Sequence, residues 1–142
     1  MRHHAGDARY GHAVYVYRPD FSSGDYREGV ISESGQDVTF EFYTPYIIGA
    51  MPPNDAPWGI YDPGGRNGLV LRGRATCAVS VSIDQGKTWH DAGTARDGLD
   101  LTDFVKGYRQ YLLKLHAGAK ALVNSGLTIE TVCQANPSTM PR

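Results

Sequence analysis

Trp58 and Tyr61 are the residues best suited to ligand chemistry, because they lie in a loop where no strand preference explains an aromatic side chain. Residues 51–68 contain four of the eight prolines and four of the 17 glycines, which predicts a long irregular loop. Ordered loops of this length are often functional. Flat aromatic rings can stack on the CH faces of sugars while polar neighbours bind the hydroxyls. The alternative is that Trp58 packs beneath its own loop.

The predicted binding site combines the two loop aromatics with three polar loop residues and one strand tyrosine: Trp58, Tyr61, Asp62, Arg66, Asn67 and Tyr43. Tyrosine is in excess, with nine residues in 142. Because tyrosine is also a favoured strand residue, Tyr15, Tyr17, Tyr43 and Tyr111 can equally be fillers of sheet faces. Both interpretations of the strand tyrosines stay open from sequence.

No catalytic residues are predicted. The sequence lacks a Gly-x-Ser-x-Gly motif, a phosphate-cradling loop and a dinucleotide fingerprint. A small polysaccharide-active enzyme would need two carboxylates in one groove, and nothing selects a pair among Glu28, Glu33, Glu41 and Glu130. A non-catalytic protein is therefore predicted, with such an enzyme as an alternative.

No cofactor is predicted, although a structural calcium ion stays open. Asp97, Asp100 and Asp103 recur at every third position and carry oxygen ligands, but their spacing is not that of an EF-hand loop. Capping of a short helical turn at 101–105 by Asp100 is the preferred explanation of the pattern. Cys77 and Cys133 are either buried thiols or one disulfide.

Charge and hydropathy exclude two classes of partner. The 14 basic residues nearly balance the 15 acidic ones without long runs, so nucleic acid is not expected as a partner. No apolar stretch reaches the 18 or more residues of a membrane span, and the first 30 positions lack the zones of a signal peptide. An uncharged partner is expected.

Strand-like alternation recurs along the chain, and it predicts an all-β fold. Val38, Phe40 and Phe42 form one apolar face of the segment 38–43, and residues 76–83 alternate in the same way. Seven or eight such segments predict a two-sheet β-sandwich of jelly-roll or immunoglobulin-like topology. The expected organisation is an N-terminal tail at 1–9 that includes a cloning-tag remnant as one option, a single domain at 10–135, and a linker at 136–142.

Residues 82–89, Ser-Ile-Asp-Gln-Gly-Lys-Thr-Trp, match the pattern Ser-x-Asp-x-Gly-x-Thr-Trp at all five defined positions. This pattern resembles the Asp-box hairpin of bacterial neuraminidase repeat proteins. Asp84 is expected to accept hydrogen bonds from amides of the turn, and Gly86 is expected to have a positive φ. The indole of Trp89 is expected to pack beneath the hairpin.

One such motif in 142 residues is too little for a sialidase propeller. The stretch from Thr76 to Pro141 instead resembles the Asp-box-bearing β-sandwich modules of large extracellular bacterial proteins. That resemblance implies a secreted parent protein, covalent linkage to other domains, and a polysaccharide or oligosaccharide partner. The predicted function is thus a non-catalytic carbohydrate-binding module, and the alternative is a structural spacer or interaction domain.

Overall fold

The structure is a computed structural model, and it describes residues 2–5, 12–49 and 68–134. Most of the long loop lies outside these ranges. Five predicted site residues therefore lie outside the described part of the chain: Trp58, Tyr61, Asp62, Arg66 and Asn67.

The described residues form eleven strands and three short helices. The strands are β1 (Arg2–Ala5), β2 (His12–Tyr17), β3 (Val30–Glu33), β4 (Val38–Tyr43), β5 (Ile47–Ile48), β6 (Leu69–Arg72), β7 (Ala78–Ser82), β8 (His90–Thr94), β9 (Leu99–Asp100), β10 (Gln110–Leu115) and β11 (Thr128–Gln134). The helices are a 3-10 helix at Asp25–Gly29, α1 (Thr102–Val105) and α2 (Ala119–Leu122). None of these helices is long and apolar enough to cross a membrane.

The strands form two antiparallel sheets, which confirms the predicted all-β sandwich. The six-stranded sheet has the order β1-β2-β11-β6-β9, and β5 also pairs with β11. The five-stranded sheet has the order β3-β4-β10-β7-β8. Strand neighbours such as β2 and β11 are far apart in sequence, so the core requires long-range pairing.

The core lies between the two sheets and follows the period-two pattern of the sequence. The predicted inward face of β4 is confirmed, since Val38, Phe40 and Phe42 are all buried. The facing side chains from the other strands are also buried, and they include Leu69, Leu71, Val79, Val81, Tyr111, Leu113, Leu115, Ile129 and Cys133. Cys77 and Cys133 are both free thiols, so the disulfide alternative is not realised.

Several elements differ from the sequence-based expectation. Ser82, expected on the wet face of its strand, is fully buried because the following turn folds over it. β8 was not predicted, since Ala92 is its only buried residue and hairpin pairing with β7 holds it in place. Helix α2 lies within a segment expected to be a plain connection.

Three strand termini and the base of the long loop lie at one end of the sandwich, which we call the loop end. β4 ends there at Tyr43, opposite Gln110 at the start of β10, and β7 ends beside β10. Gly49 donates its N–H to Val132 O (3.0 Å), and Val132 donates to Gly68 O (2.9 Å). The loop that contains Trp58 thus leaves and re-enters the fold at this end.

Candidate functional site

The outer face of the five-stranded sheet carries a group of polar and aromatic side chains at the loop end. We call this group the Tyr43 surface and define it as Glu41, Tyr43, Gln85 and Gln110. Gln110 lies directly across from Tyr43 in the β4–β10 ladder, and Glu41 is two residues before Tyr43 on the same face. Gln85 Nε2 donates to Gln110 Oε1 at 3.3 Å, which joins the β7–β8 turn to this surface.

Tyr43 is the aromatic member of this surface, and the residue is 72% exposed. Its side chain points outward because β4 alternates, with Phe42 directed into the core. β3 pairs with β4 only as far as the Val30–Phe40 position, so its ladder stops before Tyr43. The ring therefore remains open to a ligand.

The other strand tyrosines have packing roles. Tyr15 meets Phe42 edge-on with ring centroids 5.2 Å apart, and Tyr111 stacks on the same phenylalanine at 5.1 Å. Tyr17 meets Phe40 at 5.7 Å and donates its hydroxyl to Tyr26 O at 2.5 Å. The four tyrosines that sequence alone could not separate therefore divide into three core residues and one surface residue.

The polar members of the Tyr43 surface retain hydrogen-bonding capacity. Gln110 uses Oε1 to accept from Gln85, which leaves Gln110 Nε2 as a donor and Gln85 Oε1 as an acceptor. Glu41 is exposed and forms no ion pair with the described residues. An aromatic face bordered by a carboxylate and a fixed amide pair can hold a sugar ring, since it offers a stacking surface together with donors and acceptors for hydroxyls.

A shallow cavity of about 200 Å³ lies beside this surface. Tyr43 and Glu41 line one side of it, and Glu28 and Gly29 line the other. Tyr15 and Phe42 complete the lining. Two carboxyl-bearing residues, which sequence could not pair, thus meet at one cavity.

The turn at 82–89 is held by the hydrogen bonds that its sequence predicts. Asp84 Oδ1 accepts from the Thr88 N–H and from the Ser82 hydroxyl, each at 2.8 Å. Ser82 Oγ in turn accepts from the Gly86 N–H at 2.8 Å. The hydrogen bonds that Asp84 accepts, first from the Thr88 N–H and then from the Ser82 hydroxyl, lower its pKa from 3.8 to about 2.

The same turn positions Gln85. Gly86 has a φ of 90°, as predicted, but Gln85 also adopts a positive φ of 61°. This left-handed backbone is uncommon outside glycine. Trp89 is half-buried and lies under the Lys114 ammonium, 4.2 Å from Nζ to the ring centroid. The turn is therefore a structural device that supplies one side chain to the candidate site.

The three aspartates considered as calcium ligands each interact with a different partner in the protein. Asp97 Oδ1 accepts from the Gly73 N–H at 3.1 Å, and Asp103 pairs with Lys106 at 3.2 Å. Asp100 Oδ1 accepts from the Thr102 N–H at 2.9 Å, next to the first turn of α1. Within residues 2–5, 12–49 and 68–134, no three His, Cys, Asp or Glu residues form a metal-binding group.

Of the six site residues predicted from sequence, only Tyr43 lies in the described ranges. No local sequence pattern indicates Gln85 and Gln110, because their proximity depends on a contact between a turn and a strand start 25 residues away. In comparisons with known proteins, no family model matches this chain, and no curated protein or solved structure matches it significantly. The functional proposal below therefore rests on the chemistry of the Tyr43 surface.

Proposed function

We propose that this protein is a non-catalytic carbohydrate-binding module that holds a glycan on the Tyr43 surface. The observation that carries the proposal is the exposed ring of Tyr43, 72% accessible, with Glu41 and the Gln85–Gln110 amide pair beside it. The partner is a polysaccharide or an oligosaccharide. A secreted parent protein with further domains, as the Asp-box resemblance implies, is part of the same proposal.

The composition of the surface favours a neutral, hydroxyl-rich ligand. Three of its four side chains are uncharged, and amides can donate and accept hydrogen bonds in the same plane. Each neutral hydrogen bond contributes only about 0.5–1.5 kcal/mol net. Such small energies per contact are consistent with weak binding to a sugar unit that repeats along a polymer.

The proposal also includes residues of the long loop. Its ends at Gly49 and Gly68 lie at the loop end, where β4 finishes at Tyr43. Trp58, Tyr61 and the polar residues Asp62, Arg66 and Asn67 belong to this loop by sequence. We propose that these residues contribute to glycan binding together with Tyr43.

Affinity electrophoresis tests the proposal. The native protein is run through gels containing the neutral polymers β-glucan, xylan or soluble chitin derivatives. Retardation by at least one polymer is expected, and it should be lost in Tyr43→Ala but kept in Tyr43→Phe, which preserves the ring. Unchanged mobility of the wild type in every gel would refute the proposal.

A second candidate function is a small polysaccharide-active enzyme. The 200 Å³ cavity lined by both Glu28 and Glu41 favours it, because glycoside hydrolysis needs two carboxyl groups at one site. Reducing-sugar release from the same polymers separates the two functions. Release that Glu41→Gln abolishes would support the enzyme, whereas retardation without release would support the binding module.

A further inference from the structure

A larger groove lies at the end of the sandwich opposite the Tyr43 surface. It is formed by the 3-10 helix, the β3–β4 turn and helix α2, which follows the end of β10. Its volume is about 480 Å³, within the range of about 300–1,000 Å³ typical of small-molecule sites. We call it the Arg27 groove, and the lining residues that matter here are Phe21, Tyr26, Arg27, Glu33, Ser34 and Lys120.

Arg27 is held in a defined position within this groove. Its Nε donates to Glu33 Oε1 at 2.7 Å, and its guanidinium carbon lies 4.9 Å from the centroid of the Tyr26 ring. The Tyr26 hydroxyl donates to the other carboxylate oxygen, Glu33 Oε2, at 2.6 Å. Because Arg27 uses Nε for this pair, its terminal nitrogens can still donate to a ligand.

The side-chain groups left available in the groove are donors. Both oxygens of Glu33 already accept a hydrogen bond. Ser34 Oγ accepts from the N–H groups of Gln36 (3.0 Å) and Asp37 (3.2 Å), so its hydroxyl proton remains for another acceptor. Lys120 is exposed and forms no ion pair with the described residues. Glu33 offsets the charge of Arg27, and Lys120 adds a positive charge that forms no ion pair with the described residues, so a partner with acceptor atoms and one negative charge satisfies these groups.

Apart from Ser23, the rest of the lining is apolar. Phe21 and Tyr26 are buried, with ring centroids 5.0 Å apart, and Val123 borders the groove from the α2 side. The backbones of Gly35 and Gly118 touch at its edge, since a Cβ on Gly118 would lie 2.3 Å from Gly35 O. Apolar residues beside Arg27 and Lys120 can bind a cyclic ligand that carries one negatively charged substituent.

We propose that the Arg27 groove binds a small cyclic organic anion, whose carboxylate is received by Arg27, Lys120 and the Ser34 hydroxyl. Arginine and lysine form charge-assisted hydrogen bonds with carboxylates that are about twice as strong as neutral ones. This site shares no residue with the Tyr43 surface. Its existence is therefore independent of the carbohydrate-binding proposal.

Backbone amide NMR with two pairs of probes tests this site. Benzoate and glucuronate are the carboxylate probes, and benzamide and glucose are their neutral counterparts. At least one carboxylate should shift the amides of residues 23–35 and 118–123 in a saturable way, while its neutral counterpart should not. Binding by benzoate alone indicates an aromatic acid, and binding by glucuronate alone indicates an acidic sugar.

Variants separate a specific site from general attraction of anions. Lys120→Gln should weaken binding about tenfold, the equivalent of one charge-assisted contact, and Lys120→Gln combined with Arg27→Gln should abolish the groove shifts. Lys87→Gln, which removes an exposed lysine on the β7–β8 turn, should leave them unchanged. The proposal is overturned if neither carboxylate shifts the groove amides, if the neutral probes shift them equally, or if binding persists in the double variant.

Discussion

The hydroxyl oxygen of Tyr111 lies 2.8 Å from Oγ1 of Thr131, and this buried hydrogen bond connects the two sheets through the core. Tyr111 belongs to β10 in the five-stranded sheet, and Thr131 belongs to β11 in the six-stranded sheet. Both side chains are buried. Burial raises the pKa of Tyr111, so the phenol stays neutral at physiological pH.

Removal of this hydrogen bond should destabilise the fold without changing its architecture. Tyr111→Phe keeps the ring stacked on Phe42 but leaves the Thr131 hydroxyl unpaired, with an expected loss of about 1–2 kcal/mol in unfolding free energy. Urea denaturation measures this loss. In the double variant Tyr111→Phe/Thr131→Val the combined loss should be smaller than the sum of the single losses; strict additivity would contradict the bond.

Stability should depend on the ionisation of Asp84 in acid. Folding lowers the pKa of Asp84 to about 2, so its charged form stabilises the folded state above pH 4, and this contribution is lost as the pH falls from about 4 towards 2. Asp84→Ala should therefore lower the urea midpoint at pH 6, and the gap to the wild type should narrow at pH 2.5.

Lys87→Ala serves as the control for Asp84, because it lies in the same turn and its side chain is exposed. Its midpoint should follow that of the wild type at both pH values. A gap between wild type and Asp84→Ala that stays constant from pH 6 to 2.5 would contradict the hydrogen-bonded carboxylate.

The two thiols should differ in reactivity. Cys133 is fully buried, and burial raises the pKa of its thiol to about 12. Cys77 is half-buried and its pKa is also raised by burial. In the native protein, iodoacetamide at pH 8 should alkylate Cys77 faster than Cys133, which should stay unmodified. In urea, both cysteines should be alkylated without a reductant. Recovery of a disulfide-linked peptide by mass spectrometry would contradict this assignment.

Two glycines that face each other should tolerate alanine very differently. In Gly118→Ala the new Cβ would meet the carbonyl oxygen of Gly35 at 2.3 Å, so overpacking should cost about 1–3 kcal/mol. Gly35→Ala is the matched variant, because its Cβ would have no neighbour within 4 Å. Thermal unfolding of both proteins checks the contrast, and equal stability would contradict the close contact.

Much of the fold follows from local sequence patterns. The bounds of β4 agree with the predicted segment 38–43, and β7 lies within the predicted segment 76–83, since apolar alternation defines both strands locally. β8 escaped prediction because residues 90–94 have little apolar alternation, and its pairing partner β7 supplies its stability.

The candidate site could be predicted only in part. The outward direction of Tyr43 follows from the alternation of residues 38–43, whereas the accessibility of its side chain also depends on where the pairing of β3 ends. Gln85 and Gln110 meet because β7 and β10 are adjacent in the sheet, a long-range relationship that no local pattern encodes. The Arg27 groove likewise combines segments from Phe21 to Val123.

Chemical-shift mapping with an oligosaccharide of the polymer that retards the protein most strongly tests the central claim directly. The amide and side-chain resonances of Glu41, Tyr43, Gln85 and Gln110 should shift together and saturate, and Tyr43→Ala should abolish the shifts while its thermal midpoint stays near that of the wild type. Saturable shifts located elsewhere on the protein, with no change at these four residues, would contradict the Tyr43 surface as the glycan-binding site.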